Sequence, residues 1–136
     1  MSRIVTFAAT QLSISWDIEA NMEKAEKAVR EAHAAGAQVI LLQELFEAPY
    51  FCKTQHYKYL DLAKPLAGNP LIARFAKLAA ELEVVLPISY YERDTNTFFN
   101  SLVMIDADGS VLNNYRKSHI PDGPGYCEKF YFTPGD

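Results

Sequence analysis

The stretch QVILLQE, residues 38–44, decides the fold, because four consecutive apolar residues run directly into a glutamine and a glutamate. A short apolar run of this kind is typical of a strand in a parallel sheet. The earlier run IVTFAA, residues 4–9, has the same character, and we expect a strand there that is buried on both faces. Glu44 follows the carboxyl end of a predicted parallel strand, which is where open α/β sheets bind ligands.

The segment between these two strands has the pattern of an amphipathic helix, over residues 18–35. Asp17 can cap its first turn, and Gly36 suits the left-handed residue that follows a helix. Strand, helix and strand in this order predict a parallel crossover unit. The apolar side chains that recur at helical spacing are Ile18, Met22, Ala25, Val29 and Ala32.

Further along the chain, the sequence predicts a second helix and a β-hairpin. Asn69 and Pro70 form a cap and a first helical residue, and the stripe to be buried consists of Leu71, Phe75, Leu78 and Leu82. Residues 84–91 indicate a strand, although Pro87 lacks a ladder donor. The turn sequence DADG at residues 106–109 separates strands at 100–105 and 110–115, and Lys117 comes just after that hairpin.

The final segment, residues 118–136, is rich in Pro, Gly and aromatic residues and has no periodicity. We expect an ordered loop, because four aromatic side chains would be costly to leave in water: Tyr126, Phe130, Tyr131 and Phe132. Together these elements predict an α/β fold, in a single domain over residues 1–136.

The composition narrows the classes of function. With 136 residues and 49% hydrophobic content, the chain is long and apolar enough for a core. Thirteen basic and seventeen acidic side chains give a net charge of −4, without a basic block that would bind nucleic acid or an anionic membrane. No secretory signal or membrane span is apparent, so we expect a cytoplasmic protein with Cys52 and Cys127 as reduced thiols.

Glu44 and Lys117 are the candidate catalytic residues. Acyl transfer from an amide needs a nucleophile, a group that moves protons and a donor for the tetrahedral oxygen. A carboxylate and an ammonium can supply the last two. Taken separately, each residue has a simpler interpretation: Glu44 as an exposed carboxylate at a strand end, and Lys117 as part of a solvated basic turn with Arg116 and His119.

No residue of the chain is a good candidate for the nucleophile. Cys127 lies in an irregular loop without a strand-to-helix turn that would expose and activate a thiol. Cys52 lies among aromatic residues and has the character of a buried small hydrophobe. The three histidines have no ligand-like spacing with the cysteines, so the sequence supports no metal site.

Two motifs resemble those of the carbon-nitrogen hydrolases of the nitrilase superfamily: QELF at residues 43–46 and YRKSHIP at residues 115–121. The resemblance implies an αββα sandwich, of which this chain is similar to the N-terminal half, a mixed sheet with helices on one face. It implies Glu44 as general base and Lys117 as oxyanion stabiliser. Glu128 matches a second glutamate that orients the lysine and borders the substrate. Without the resemblance, the favoured interpretation of Glu128 is half of a surface ion pair with Lys129.

The resemblance also bears on substrate and assembly. Residues 44–52 and 119–132 resemble enzymes that act on carbamoyl amines, which implies a small-molecule carbamoyl amine substrate and no cofactor. A free ammonium on that substrate would suit a carboxylate, and Glu47 and Asp122 are candidates. Complete members of the family often form homo-oligomers.

In family members the nucleophilic cysteine follows the region that this chain matches. We therefore expect residues 1–136 to be a truncated domain that is inactive on its own. Two alternatives stay open: another N-carbamoyl amidase, such as a β-ureidopropionase, and a short non-catalytic binding or assembly module.

Overall fold

The computed structural model describes residues 2–136 and shows a mixed sheet, as predicted. β1 pairs in parallel with β2, while β3, β4 and β5 form a consecutive antiparallel sheet. A parallel bridge between Val39 and Val85 joins the two parts. The strands are β1 (Phe7–Ala9), β2 (Val39–Leu41), β3 (Leu86–Asp94), β4 (Thr97–Ile105) and β5 (Val111–Arg116).

Pro87 explains why the pairing between β2 and β3 is so short. The amide of Ile40 donates to the carbonyl oxygen of Val85 at 3.0 Å, and the amide of Val85 donates to Gln38 at 2.9 Å. The next donor toward β2 in a parallel ladder is residue 87, and proline has no N–H. The ladder therefore stops there, and the chain leaves β2 after Leu41 toward Glu44.

Two helices cover one face of the sheet: α1 (Ile18–Ala34) and α2 (Pro70–Leu82). The Asp17 side chain accepts a hydrogen bond from the amide of Ala20 at 3.0 Å, and the Asn69 side chain accepts one from Leu71 at 3.0 Å. Both predicted caps are therefore confirmed. Gly36, with φ of +94°, is the left-handed residue predicted after the first helix.

The main core lies between these helices and the sheet. Phe46 and Phe75 meet edge to face with ring centroids 5.4 Å apart, and both side chains are fully buried. Burial of each large apolar side chain contributes about 1.5–3 kcal/mol. The side chains that fill this core include Met22 and Val29 from α1, Leu71 and Leu78 from α2, and Ile40, Ile88 and Val103 from the strands.

The opposite face of the sheet is open, which corrects one prediction. The first strand is shorter than residues 4–9 and is not buried on both faces, since Phe7 is 73% exposed. Leu41 and Tyr115 also point away from the helices and are exposed. The physical reason is that the helices cover one face only, and no element within residues 2–136 packs over Phe7 on the other.

The last segment is ordered, as expected, but one of its aromatic residues is not buried. Tyr131 and Phe132 pack against Phe51 and Tyr91 in a second cluster. Tyr126 is 62% exposed, so the prediction of its burial was wrong. Its amide and carbonyl both bond to Gly123 in a tight turn that places the ring at the outer edge of the loop.

Three short 3₁₀ helices, Phe51–Lys53, Tyr57–Leu62 and Glu128–Phe130, complete the fold. Within residues 2–136, none of the helices combines the length and the apolarity that crossing a membrane would require.

Candidate active site

Glu44 is placed by a strained turn directly after β2. The next residue, Leu45, has φ of +52°, a left-handed conformation that costs a non-glycine residue about 1–2 kcal/mol. The amide of Leu45 donates to the hydroxyl oxygen of buried Ser89 at 3.0 Å. On the other side, the amide group of the Gln43 side chain bonds to both the N–H and the carbonyl of Leu12. These bonds fix the backbone on either side of Glu44.

Lys117 is placed by the end of β5. Its main-chain amide donates to the carbonyl oxygen of Asn100 on β4 at 2.8 Å. The preceding residue, Arg116, points to the helix-covered face, where it forms two hydrogen bonds with Glu92 at 2.7 and 3.0 Å. Because neighbouring residues of an extended chain point to opposite faces, this anchor directs Lys117 to the open face.

The side chains of Arg116 and Glu92 both have several partners. Burial favours the neutral form of Glu92, but hydrogen bonds from Arg116, Ser101 and Asn114 outweigh it and hold the pKa of Glu92 below its usual value. The Arg116 guanidinium also lies over the ring of Phe99, 3.9 Å from its centroid. The end of β5 is therefore held by a charged group that has partners on several sides.

Lys117 lies between two carboxylates. Its Nζ atom is 3.2 Å from Glu44 Oε1 and 2.9 Å from Glu128 Oε2. Partial burial lowers the pKa of Lys117, but the hydrogen bonds to Glu128 and Glu44 outweigh this and leave the pKa above its ordinary value. The lysine is thus a protonated donor. The formal charges of the three residues of this charged cluster, Glu44, Lys117 and Glu128, sum to −1.

The two carboxylates differ in how their oxygens are used. The Glu128 side chain is only 5% exposed, and its second oxygen accepts a hydrogen bond from the Tyr50 hydroxyl at 2.8 Å. Burial, followed by this bond to Glu128, raises the pKa of Tyr50. The Glu44 side chain is 56% exposed, and its Oε1 accepts from Lys117 and from the Asn100 side-chain amide.

Because of this difference, the two carboxylates are suited to different roles. Both oxygens of Glu128 already accept from donors, so Glu128 is suited to holding the ammonium in place. Glu44 Oε2 has no donor within residues 2–136, which leaves it able to accept a proton from a bound molecule.

A groove of about 280 Å³ on the open face borders the cluster. Glu44 and Lys117 lie at its polar end, and apolar side chains form much of its wall. Its lining comprises Leu41, Leu42, Glu44, Ser89, Asn100, Ser101, Leu102, Tyr115 and Lys117.

The cysteines are placed differently from the three charged residues. Cys52 is fully buried in the second cluster. Burial, and then the charges of Glu128 and Glu44, raise its pKa, so it stays a thiol. Cys127 is partly exposed, and its Sγ lies near the carbonyl oxygens of Lys53 and Gly123 at 4.0 and 3.8 Å.

The two candidates for recognising a substrate ammonium do not join the cluster. Glu47 forms an ion pair with Lys64 and lines a separate cavity of about 100 Å³ with Leu45 and Tyr91. The prediction for Glu47 is therefore not supported by its surroundings, because its charge is already neutralised. Asp122 is exposed on the final loop.

Sequence reasoning missed two side chains that contact the cluster, Tyr50 and Asn100. The signal for Asn100 was a polar residue inside the apolar strand sequence FFNSLV, residues 98–103. A buried polar side chain in such a run needs a partner from elsewhere in the fold. Tyr50 offered no comparable signal, because a tyrosine beside Phe51 is also compatible with ordinary packing.

Comparison with known proteins identifies the family. Residues 6–136 match the model of the carbon-nitrogen hydrolase family. The chain belongs to that family. A solved structure of a carbon-nitrogen hydrolase from Helicobacter pylori G27 is similar over 96% of this chain and 45% of its own, with a TM-score of 0.88 and 36% identity. This likeness confirms the predicted nitrilase-type fold.

Curated relatives are similar over almost the whole of this chain. The N-carbamoylputrescine amidase of Oryza sativa subsp. japonica is 56% identical over 133 residues, which are 97% of this chain and 44% of the relative. The enzyme of the same name from Arabidopsis thaliana is 54% identical over 98% of this chain and 45% of its own length. The citrullinase of Francisella tularensis is 47% identical over 96% of this chain and 46% of its own length. The chain thus spans less than half the length of these relatives.

Proposed function

We propose that this chain supplies the carboxylate and ammonium groups of an amidase that hydrolyses N-carbamoylputrescine to putrescine, carbon dioxide and ammonia. The observation that carries the proposal is the Lys117 ammonium held between Glu44 and Glu128 beside an open groove. Four plant proteins named N-carbamoylputrescine amidase, 53–56% identical to this chain, support the choice of substrate.

In the proposed reaction a thiolate attacks the ureido carbonyl carbon, and charge develops on the carbonyl oxygen. Lys117 donates a hydrogen bond to that oxygen, which is the position where a fixed donor lowers the barrier most. Glu44 takes the thiol proton and passes it to the departing ammonia. Glu44 then removes a proton from the water that cleaves the resulting S-thiocarbamate, and this proton returns to the cysteine sulfur as the C–S bond breaks. The carbamic acid released loses carbon dioxide to give the amine.

The proposed nucleophile is a cysteine outside these 136 residues. A nucleophilic cysteine needs a lowered thiol pKa, whereas the pKa of Cys52 is raised by burial. Cys127 precedes a short 3₁₀ helix, in a loop rather than at a strand-to-helix turn. The exposed apolar side chains on the open face, such as Phe7 and Leu41, support a second layer of structure over this sheet in the native protein. On this proposal residues 1–136 alone do not hydrolyse the substrate.

The candidate substrates differ in charge at the end away from the ureido group. N-carbamoylputrescine carries a free ammonium there. A β-ureidopropionase substrate carries a carboxylate and no free ammonium, and citrulline carries both groups.

The test is steady-state hydrolysis by the native protein that contains this sequence, with three ureido substrates: N-carbamoylputrescine, citrulline and N-carbamoyl-β-alanine. We expect the highest kcat/KM for N-carbamoylputrescine, with putrescine and ammonia released in equal amounts. A preference for either of the other two would overturn the choice of substrate. Failure to release ammonia from all three would favour the non-catalytic binding or assembly module.

We also propose that the native protein is a homo-oligomer in the cytoplasm and binds no nucleic acid. The family resemblance supports the oligomer, and the net charge of −4 supports the lack of affinity for nucleic acid. Light scattering of the native protein tests the oligomeric state, and localisation in the source cells tests the compartment. Retention on a DNA column at physiological salt would contradict the lack of nucleic-acid binding.

A further inference from the structure

Asn100 contacts two of the three residues of the charged cluster, Glu44 and Lys117, from one position on β4. Its side-chain Nδ2 donates to Glu44 Oε1, and its main-chain carbonyl accepts from the amide of Lys117 at 2.8 Å. The residue is only 4% exposed. One buried residue therefore links the two, with its side chain on the carboxylate after β2 and its main chain on the strand end that carries the lysine.

Lys117 alone does not fix the orientation of the Glu44 carboxylate. Its ammonium is shared with Glu128, at a shorter distance of 2.9 Å against 3.2 Å, and it sits on a flexible four-carbon stem. The Asn100 amide is held by a buried strand and donates without titrating. It is the more rigid of the two donors to Glu44 Oε1.

We propose that Asn100 is a positioning residue that holds Oε1, so that Oε2 is the oxygen that carries the proton. This inference rests on the proposed function. In the first step the S–H bond breaks, its electron pair stays on sulfur, and the proton forms an O–H bond with Glu44 Oε2. When the C–N bond breaks, that proton moves to the departing nitrogen, and the carboxylate is restored.

The kinetic test uses Asn100→Asp, which keeps the size of the side chain but replaces the donor with a second carboxylate, and Asn100→Ala, which removes the group. In the native protein we expect kcat for N-carbamoylputrescine to fall about 100-fold in both variants, the order of loss that misplacement of a catalytic group causes. KM should stay nearly unchanged, because Asn100 acts through Glu44. Asn113→Ala, an exposed asparagine on the neighbouring strand, is the matched control and should retain full kcat.

A second measurement uses the native protein and needs no turnover. In ¹⁵N-labelled protein, the side-chain amide protons of Asn100 should give separate, slowly exchanging signals, and Glu44→Ala should shift them and speed their exchange. Glu44 is exposed, so this variant does not disturb the core. This measurement holds even where Asn100 variants fail to fold.

The outcomes separate the two proposals. The role of Asn100 is overturned if its side-chain amide signals do not change in Glu44→Ala. Full kcat in Asn100→Asp would also overturn it. If the native wild-type protein hydrolyses none of the ureido substrates while the amide signals respond to Glu44→Ala, the proposed function fails and the contact remains.

Discussion

The ammonium of Lys117 and the carboxylate of Glu44 lie 3.2 Å apart, although 73 positions separate them in the chain. Two separate features of the backbone bring these side chains together. The left-handed residue after Glu44 places the carboxylate, and the end of β5 places the ammonium. Glu128 completes the arrangement from the final loop, at 2.9 Å from the same nitrogen.

Removal of the Lys117 charge should abolish oxyanion stabilisation. In the native protein we expect Lys117→Ala to lower kcat by about 10³-fold, the scale measured when a single oxyanion donor is removed. Lys129→Ala, an exposed lysine next to Glu128, is the matched control and should behave as wild type. Equal losses in the two variants would mean that general charge, rather than the placement of Lys117, matters for turnover.

Loss of the Tyr50 hydroxyl should loosen Glu128. Tyr50→Phe removes one of the two donors to that carboxylate while the ring stays in place, and a hydrogen bond to a charged group contributes about 1.5–3 kcal/mol. We expect kcat to fall about 10-fold or more. Tyr57→Phe removes the hydroxyl of an exposed tyrosine and serves as control. Wild-type kcat in Tyr50→Phe would show that Lys117 alone suffices to hold Glu128.

The Glu92–Arg116 pair should make stability depend on pH in the acid range. The pKa of Glu92 is lowered in the folded protein, so its contribution is complete above its unfolded pKa of about 4.3. The contribution is lost as pH falls below that value through the folded pKa. At pH 7 we expect Glu92→Gln to lower the free energy of unfolding by about 3 kcal/mol, because it leaves the Arg116 guanidinium without its buried partner.

Urea denaturation of the chain from pH 7 down to pH 3 measures this. The difference in the free energy of unfolding between wild type and Glu92→Gln should be constant above about pH 5. It should shrink below the unfolded pKa of about 4.3. Glu81→Gln, which breaks an exposed pair with Arg30, should show a much smaller difference throughout. A difference for Glu92→Gln that does not change with pH would indicate lost packing rather than lost charge.

The two thiols should differ in reactivity and neither should be essential. Cys127 is partly exposed and should react with a thiol reagent in the folded chain, whereas fully buried Cys52 should react only on unfolding. Cys127→Ser should retain the activity of the native protein. Loss of all turnover in Cys127→Ser, with an unchanged melting temperature, would place the nucleophile within these residues and refute our account of it.

The sequence was sufficient for the elements whose signals are local. Asp17 and Asn69 are side-chain caps whose partners lie two or three residues away, so both helix starts were predictable. The hairpin turn at residues 106–109 is likewise formed by its own residues: the amide of Gly109 donates to the carbonyl oxygen of Asp106 at 2.9 Å. Glu44 and Lys117 could be selected because each follows a predictable strand.

Features that depend on distant parts of the chain were not predictable. The burial of the first strand depends on what covers Phe7, which its own sequence does not encode. The contacts of Asn100 and Tyr50 with the glutamates span 56 and 78 positions, and they require the order of strands and the path of the final loop. Tyr126 looks like a core residue by composition, but the turn at Gly123 keeps it at the surface.

The most direct test of the central claim is the rate at which the native protein and its Glu44→Gln variant release ammonia from N-carbamoylputrescine. The two side chains have nearly the same shape, but the amide cannot accept and return a proton at neutral pH. We predict measurable turnover for the wild type and a kcat lower by 10²- to 10⁴-fold, about the contribution of a general base, for the variant. Wild-type turnover in Glu44→Gln would contradict the account.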